Sequence, residues 1–194
     1  MSTVFSAKIQ VFFLLSENRF LYLCHLIFWP CIYWYWVIAM KKPKYLTWIL
    51  AVEAIGFLSG LLSRQGTQMY AEMIQKPPLS PPGWLFPVVW TILYGLMGIG
   101  AARIAAYPAG RRRSRALNAF VIQLTVNFFW SLIFFNAGAY GFALLWLLLL
   151  WILVIVMILL FYQVDKTAAL FQIPYFLWVS FAAYLNYGVW QLNR

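Results

Sequence analysis

Five apolar stretches dominate this sequence, each near the roughly 20 residues that an α-helix needs to cross about 30 Å of hydrocarbon. They run approximately from Leu46 to Ser63, Trp84 to Ala105, Leu117 to Asn136, Phe142 to Tyr162 and Leu170 to Leu192. Backbone groups in lipid must be satisfied within the protein, and none of the stretches alternates apolar with polar as a barrel strand does. The prediction is an all-α integral membrane protein, a five-helix bundle. Composition agrees: 65% of the 194 residues are hydrophobic and only 9% charged, against about 25% charged in a soluble domain. With one His, two Cys and four carboxylates (Glu17, Glu53, Glu72, Asp165), the chain has no material for a metal cluster or a His-centred triad. Cys24 and Cys31 are seven apart, without the CxxC spacing of a redox or metal pair.

The net charge of +10 sits in short clusters between apolar runs, which argues against nucleic acid as a partner and for membrane orientation. One side of the predicted bundle holds Lys41, Lys42, Lys44, Arg111, Arg112, Arg113, Arg115 and Lys166; the other holds Arg64, Lys76 and Arg194. The Lys/Arg rule then puts the start of the first span in the cytoplasm, with the first loop and the C-terminus on the opposite face of a bacterial cytoplasmic membrane. That first loop, Arg64 to Gly83, is the long connection. It contains KPPLSPP, whose prolines bias it towards a stiff, extended segment suited to act as a lid.

Residues 1–39 read as a hydrophobic N-terminal extension, separate from a five-span domain over 40–194. KKPKYLTW follows Met40 directly, and the preferred reading makes Met40 the natural start. The alternative is a sixth span from about Phe20 to Met40, interrupted by Pro30.

Gln123, Asn127 and Ser131 recur every four residues in the third span and share one face. Three polar side chains facing lipid are costly, so that face turns inward, either to bond neighbouring helices or to anchor a ligand. Trp178, Ala182 and Asn186 form a similar face in the fifth span, and the pairs Trp90/Tyr94 and Trp130/Phe134 each sit one turn apart. Rings, amides and small residues on facing helices are what an apolar pocket with a few polar fixings requires. Glu53 is the only carboxylate inside a predicted span, and Gly56 and Gly60 form a GxxxG step that permits close helix approach. GLMGIG lacks both the spacing and the preceding strand of a nucleotide loop.

At KPPLSPPGWLFPVVWTILYGLMG, QLTVNFFWSLIFF and IPYFLWVSFAAYLNYGVW the sequence resembles the translocator-protein family, the tryptophan-rich sensory proteins also known as peripheral-type benzodiazepine receptors. The resemblance spans about Lys41 to Asn193. It implies a five-helix membrane bundle that dimerises, with a pocket beneath the first loop. It also implies binding of porphyrin or haem without an obligatory cofactor, in transport or stress sensing. Light-dependent porphyrin degradation and a scaffold that modulates partner proteins are the alternatives. Carried over by motif, the ligand-binding residues are Trp90, Asn127, Trp178 and Ala182, with Tyr94 beside Trp90. The family's first-loop Trp-Tyr pair is Met69 and Tyr70 here, and a thioether cannot replace an indole in photochemistry. A sterol pattern quoted for the family's last span fails on spacing, because six residues separate Tyr187 from Arg194.

Overall fold

The computed structural model describes residues 43–194. The Met40 start, the alternative sixth span, Cys24 and Cys31 lie outside the described residues. Helices α1 (Tyr45–Leu62), α2 (Arg64–Met73), α3 (Leu85–Ala106), α4 (Arg111–Ser131), α5 (Tyr140–Tyr162), α6 (Lys166–Leu170) and α7 (Ile173–Leu192) follow in order, with no strand among the described residues. The expected all-α fold is observed, with five spans long and apolar enough to cross a membrane. These are α1, α3, α4 with the turn that follows it, α5, and α6 together with α7. The most extensive packing is of α1 on α3, α4 on α5 and α5 on α7.

Packing shows where lipid must lie. Along α5 the buried residues are Ala143, Leu147, Leu150, Val154, Met157 and Phe161. Steps of four and three alternate, the spacing of a helix seam that packs knobs into holes. Phe142, Leu145, Leu149, Ile152, Val156 and Leu159 look outward. Both faces are apolar, since a span must satisfy hydrocarbon on one side and protein on the other. GLMGIG serves close packing: a side chain at Gly98 would meet the Ile49 backbone of α1, at 2.7 Å from its Cα, and one at Gly100 would collide with Gln172.

Three boundaries differ from expectation. The Arg64–Gly83 connection is not extended throughout, because its first half is helix α2. Thr67 Oγ1 donates to Ser63 O at 2.9 Å, and Asn136 Nδ2 donates to Leu62 O at 2.8 Å, which ties the bend between α1 and α2 to the end of α4. Helix α4 begins at Arg111 rather than near 117, because hydropathy marks only the part of a helix that lipid covers. The arginines form its first, exposed turn. At the other end α4 runs into a π-helical turn, Leu132–Asn136, closed by Ala137 N–H donating to Leu132 O at 3.0 Å. Finally, α7 starts at Ile173, preceded by the short α6. Asp165 caps α6 by accepting from the amides of Thr167 and Ala168 at 2.8 and 3.1 Å. Its second oxygen pairs with Arg103 of α3 at 2.7 Å, as a buried carboxylate must be paired.

The remainder of the long connection behaves as its prolines dictate. Ile74 turns extended after α2, and Pro77 to Ser80 make a turn in which Ser80 N–H and Oγ both reach Pro77 O, at 3.3 and 2.8 Å. Leu79 holds φ 67 there, at a position where such a turn favours glycine.

Candidate functional site

Beneath this connection lies a cavity of about 650 Å³, well within the roughly 300 to 1,000 Å³ of small-molecule sites. Helices α1, α3, α4 and α7 form its walls, and α2 with Lys76, Ser80 and Pro81 forms its roof. The roof is fastened to the last helix. Gln75 N–H donates to Asn193 Oδ1 at 3.0 Å and its carbonyl accepts from Asn193 Nδ2 at 2.9 Å. Tyr184 O–H donates to Pro78 O at 3.1 Å, and Pro77 lies against Gly188, where any side chain would displace it. Lys76 Nζ is held by Ala71 O at 2.7 Å and lies 5.4 Å from the centre of the Tyr70 ring.

Aromatic pairs line the interior. Trp90 stacks on Tyr94, with ring centres 5.2 Å apart, and Trp130 stacks on Phe134 at the same 5.2 Å. Each pair is one helical turn apart, so the spacing in the sequence becomes a plate of two rings. Trp130 Nε1 donates to Asn186 Oδ1 at 3.3 Å, and Asn186 Nδ2 donates to Tyr140 O at 2.9 Å, which satisfies a buried indole and a buried amide together. The π-helical turn inserts one extra residue per turn, so that Phe134 and Phe135 both reach the roof. Tyr70 packs on both rings, at 5.5 and 5.4 Å. Burial there, with the Tyr140 phenol adding to it, pushes the Tyr70 hydroxyl above its ordinary value, and Tyr70 stays a neutral donor.

Five of the seven residues singled out for ligand contact lie on the cavity wall: Trp90, Tyr94, Trp178, Ala182 and Tyr70. Two do not. Asn127 is buried behind Tyr94, its Nδ2 donating to the Tyr94 hydroxyl at 3.0 Å, so it holds a wall residue rather than forming the wall. Met69 is 60% exposed and is not among the residues that line the hollow. On the polar stripe of α4, Gln123 accepts from the Tyr175 hydroxyl at 2.9 Å, and only Ser131 reaches the cavity. Trp146 and Trp151 face neighbouring helices, donating to Val126 O and Ser180 Oγ, each at 2.9 Å. Trp178 also borders a second hollow of about 410 Å³ between α3 and α7, lined by Val89, Ile92, Leu93, Leu177 and Phe181.

The residues singled out for ligand contact include none from the first span, and from the roof only Met69 and Tyr70. Glu53, Gly56 and Gly60 of α1, with Arg64, Thr67 and Gln68, line the hollow. The signal was present in the GxxxG step. The Tyr94 ring lies across Gly56, and nothing approaches Gly60, which opens on the cavity. Among the described residues, no three His, Cys, Asp or Glu side chains gather as metal ligands.

Comparison with known proteins agrees with this architecture. The model of the TspO/MBR family matches residues 48–191. The tryptophan-rich protein TspO of Chlorobaculum tepidum is 38% identical over 143 residues, 72% of this chain and 89% of that protein. Protein CrtK of Rhodobacter capsulatus is 40% identical over 123 residues, 63% of this chain and 77% of that one. The translocator protein of Bos taurus is 35% identical over 155 residues, covering 74% and 91%.

Proposed function

Because the chain belongs to the TspO/MBR family of membrane proteins, we propose that it binds a tetrapyrrole, porphyrin or haem, in the cavity beneath the roof and acts in its transport or in stress sensing. The observation that carries this reading is the pairing of a 650 Å³ hollow with stacked ring plates on two walls and Trp178 on a third. A flat macrocycle offers a large π-face to such plates, and aromatic stacking is worth about 1 to 3 kcal/mol per ring where it has been measured on nucleobases. Ser131 and Asn186 supply hydrogen bonds to the periphery, and the exposed cations Arg64 and Lys76 at the roof suit the carboxylates of a porphyrin. Among the described residues, no His, Cys or Met stands in the wall, which offers ring faces and polar edges to the ligand. The predicted orientation belongs to this proposal: the start of α1 cytoplasmic, the roof and the end of α7 opposite. So does a homodimer in a bacterial cytoplasmic membrane.

The test is a titration of purified protein with protoporphyrin IX, read by quenching of tryptophan fluorescence. Saturable quenching is expected. Quenching no greater than that of an unrelated membrane protein would remove the proposal. Illuminating the same complex separates binding from porphyrin degradation. With Met69 turned outward, bleaching little faster than that of free porphyrin is expected.

A further inference from the structure

Among the described residues, Glu53 is the one carboxylate that lines the cavity. It is ninth of the eighteen residues of α1, so about 12 to 14 Å of helix separates it from either end, midway along a helix long and apolar enough to cross a membrane. Its Oε1 lies over Gly95 of α3, where a Cβ would stand 3.7 Å away. Tyr94, the neighbour of Gly95, presents its ring to the same hollow, stacked on Trp90. Among the described residues no ion pair and no hydrogen bond involves the Glu53 carboxylate; the ion pair present is Arg103 with Asp165, outside the cavity wall.

A carboxylate at mid-membrane depth without a partner is costly, and residues of this kind mark ligand or ion paths. A bare divalent ion finds no cluster of charged ligands here, since among the described residues no three His, Cys, Asp or Glu side chains gather. A protonated nitrogen on a flat apolar body does fit. The carboxylate supplies the counter-charge, and electron-rich ring faces beside it attract the same cation. The roof cations Arg64 and Lys76 are exposed and neither forms an ion pair with Glu53.

We propose that Glu53 makes this cavity a site for flat aromatic amines, holding their protonated nitrogen against the Tyr94 and Trp90 rings. This goes beyond the tetrapyrrole reading and does not depend on it. The probes are 9-aminoacridine, flat and cationic at neutral pH, and anthracene, which has the same three-ring outline and no charge. Each is titrated into the full-length protein in micelles, read by tryptophan quenching and corrected for its partition into empty micelles. The unmodified protein is expected to bind 9-aminoacridine saturably and in preference to anthracene. Glu53→Gln should weaken 9-aminoacridine by about tenfold or more, the weight of one charge-assisted contact, and leave anthracene unchanged. Equal affinity for the two probes in the unmodified protein overturns the proposal without any variant. Undiminished 9-aminoacridine binding by Glu53→Gln, or equal loss of both probes, overturns it as well. Protoporphyrin IX titrated in parallel keeps the readings apart, because failure of porphyrin binding alone strikes the tetrapyrrole proposal and spares this one.

Discussion

The two ends of the bundle are built from the same five helices and solve opposite problems. At the end where α1 begins and α3 stops, small residues let backbones touch. Gly98 meets Ile49, Gly100 meets Gln172, and Ala101, Ile104, Ala116, Phe120, Phe161 and Ala168 are all sealed from solvent. The Arg103–Asp165 pair stitches α3 to the cap of α6. At the other end large rings stand apart around a hollow, and hydrogen bonds to backbone carbonyls hold the roof. Within lipid, helix association gains little from the hydrophobic effect and depends on close packing. A bundle that leaves one end hollow must therefore pack the other end tightly. The closed end supplies stability, and the open end is free to supply shape.

Substitutions can break this division of labour. The largest effect is expected at the closed end. Asp165→Ala removes a helix cap and leaves Arg103 without its carboxylate, and should cost about 3 kcal/mol, read as a lower unfolding midpoint in detergent. An unfolding midpoint that does not move would show that the closed end carries no special share of stability. Next comes Trp178→Ala at the open end, which should weaken porphyrin binding by about 1 to 3 kcal/mol while the midpoint shifts little. Trp151→Phe, which loses the bond to Ser180, is the control and should leave binding intact. Equal losses of binding at both positions would mean that the two ends are not separable.

Smaller effects sharpen the picture of the roof. Asn193→Ala deletes both bonds to Gln75. About 1 kcal/mol is expected, appearing as faster ligand release and faster amide exchange over residues 74–82, with equilibrium unfolding nearly unchanged. The smallest effect should be that of Met69→Leu, below about 0.5 kcal/mol on binding or stability, as for surface positions generally. A clear loss of porphyrin affinity in this variant would place Met69 over the ligand after all.

The sequence carried the number of spans and most of the wall, because apolar length and one-turn spacing are local properties. Trp90 with Tyr94 and Trp130 with Phe134 could be paired from their numbers alone. What the spacing could not supply was the rotation of each helix. Asn127 and Ser131 share a face of α4, yet the roughly 40° of rotation and 6 Å of rise that separate them place one behind Tyr94 and the other in the cavity. A span whose two sides are both apolar, as in α5, gives no contrast from which to read its orientation. Helix α2 was hidden for the opposite reason. RQGTQMYAEM has no apolar run, and its helix depends on contacts with the distant π-helical turn, with Gly66 pressed on the Phe135 carbonyl. Motif resemblance assigns both Met69 and Tyr70 to the site, and of the two Tyr70 lines the hollow. Which of two adjacent residues in a helix faces inward is decided by roughly 100° of rotation.

The fastening of the roof also sets an order of assembly. The residues that hold down its second half (Tyr184, Gly188 and Asn193) belong to or directly follow α7, more than a hundred positions after the segment they secure, whereas α2 rests on the end of α4. A chain made from its N-terminus produces the roof early; α2 meets its support when the third span emerges, and the segment around Gln75 to Pro78 only when the fifth does. In that order of synthesis the cover of the hollow is completed last, once the fifth span is in place.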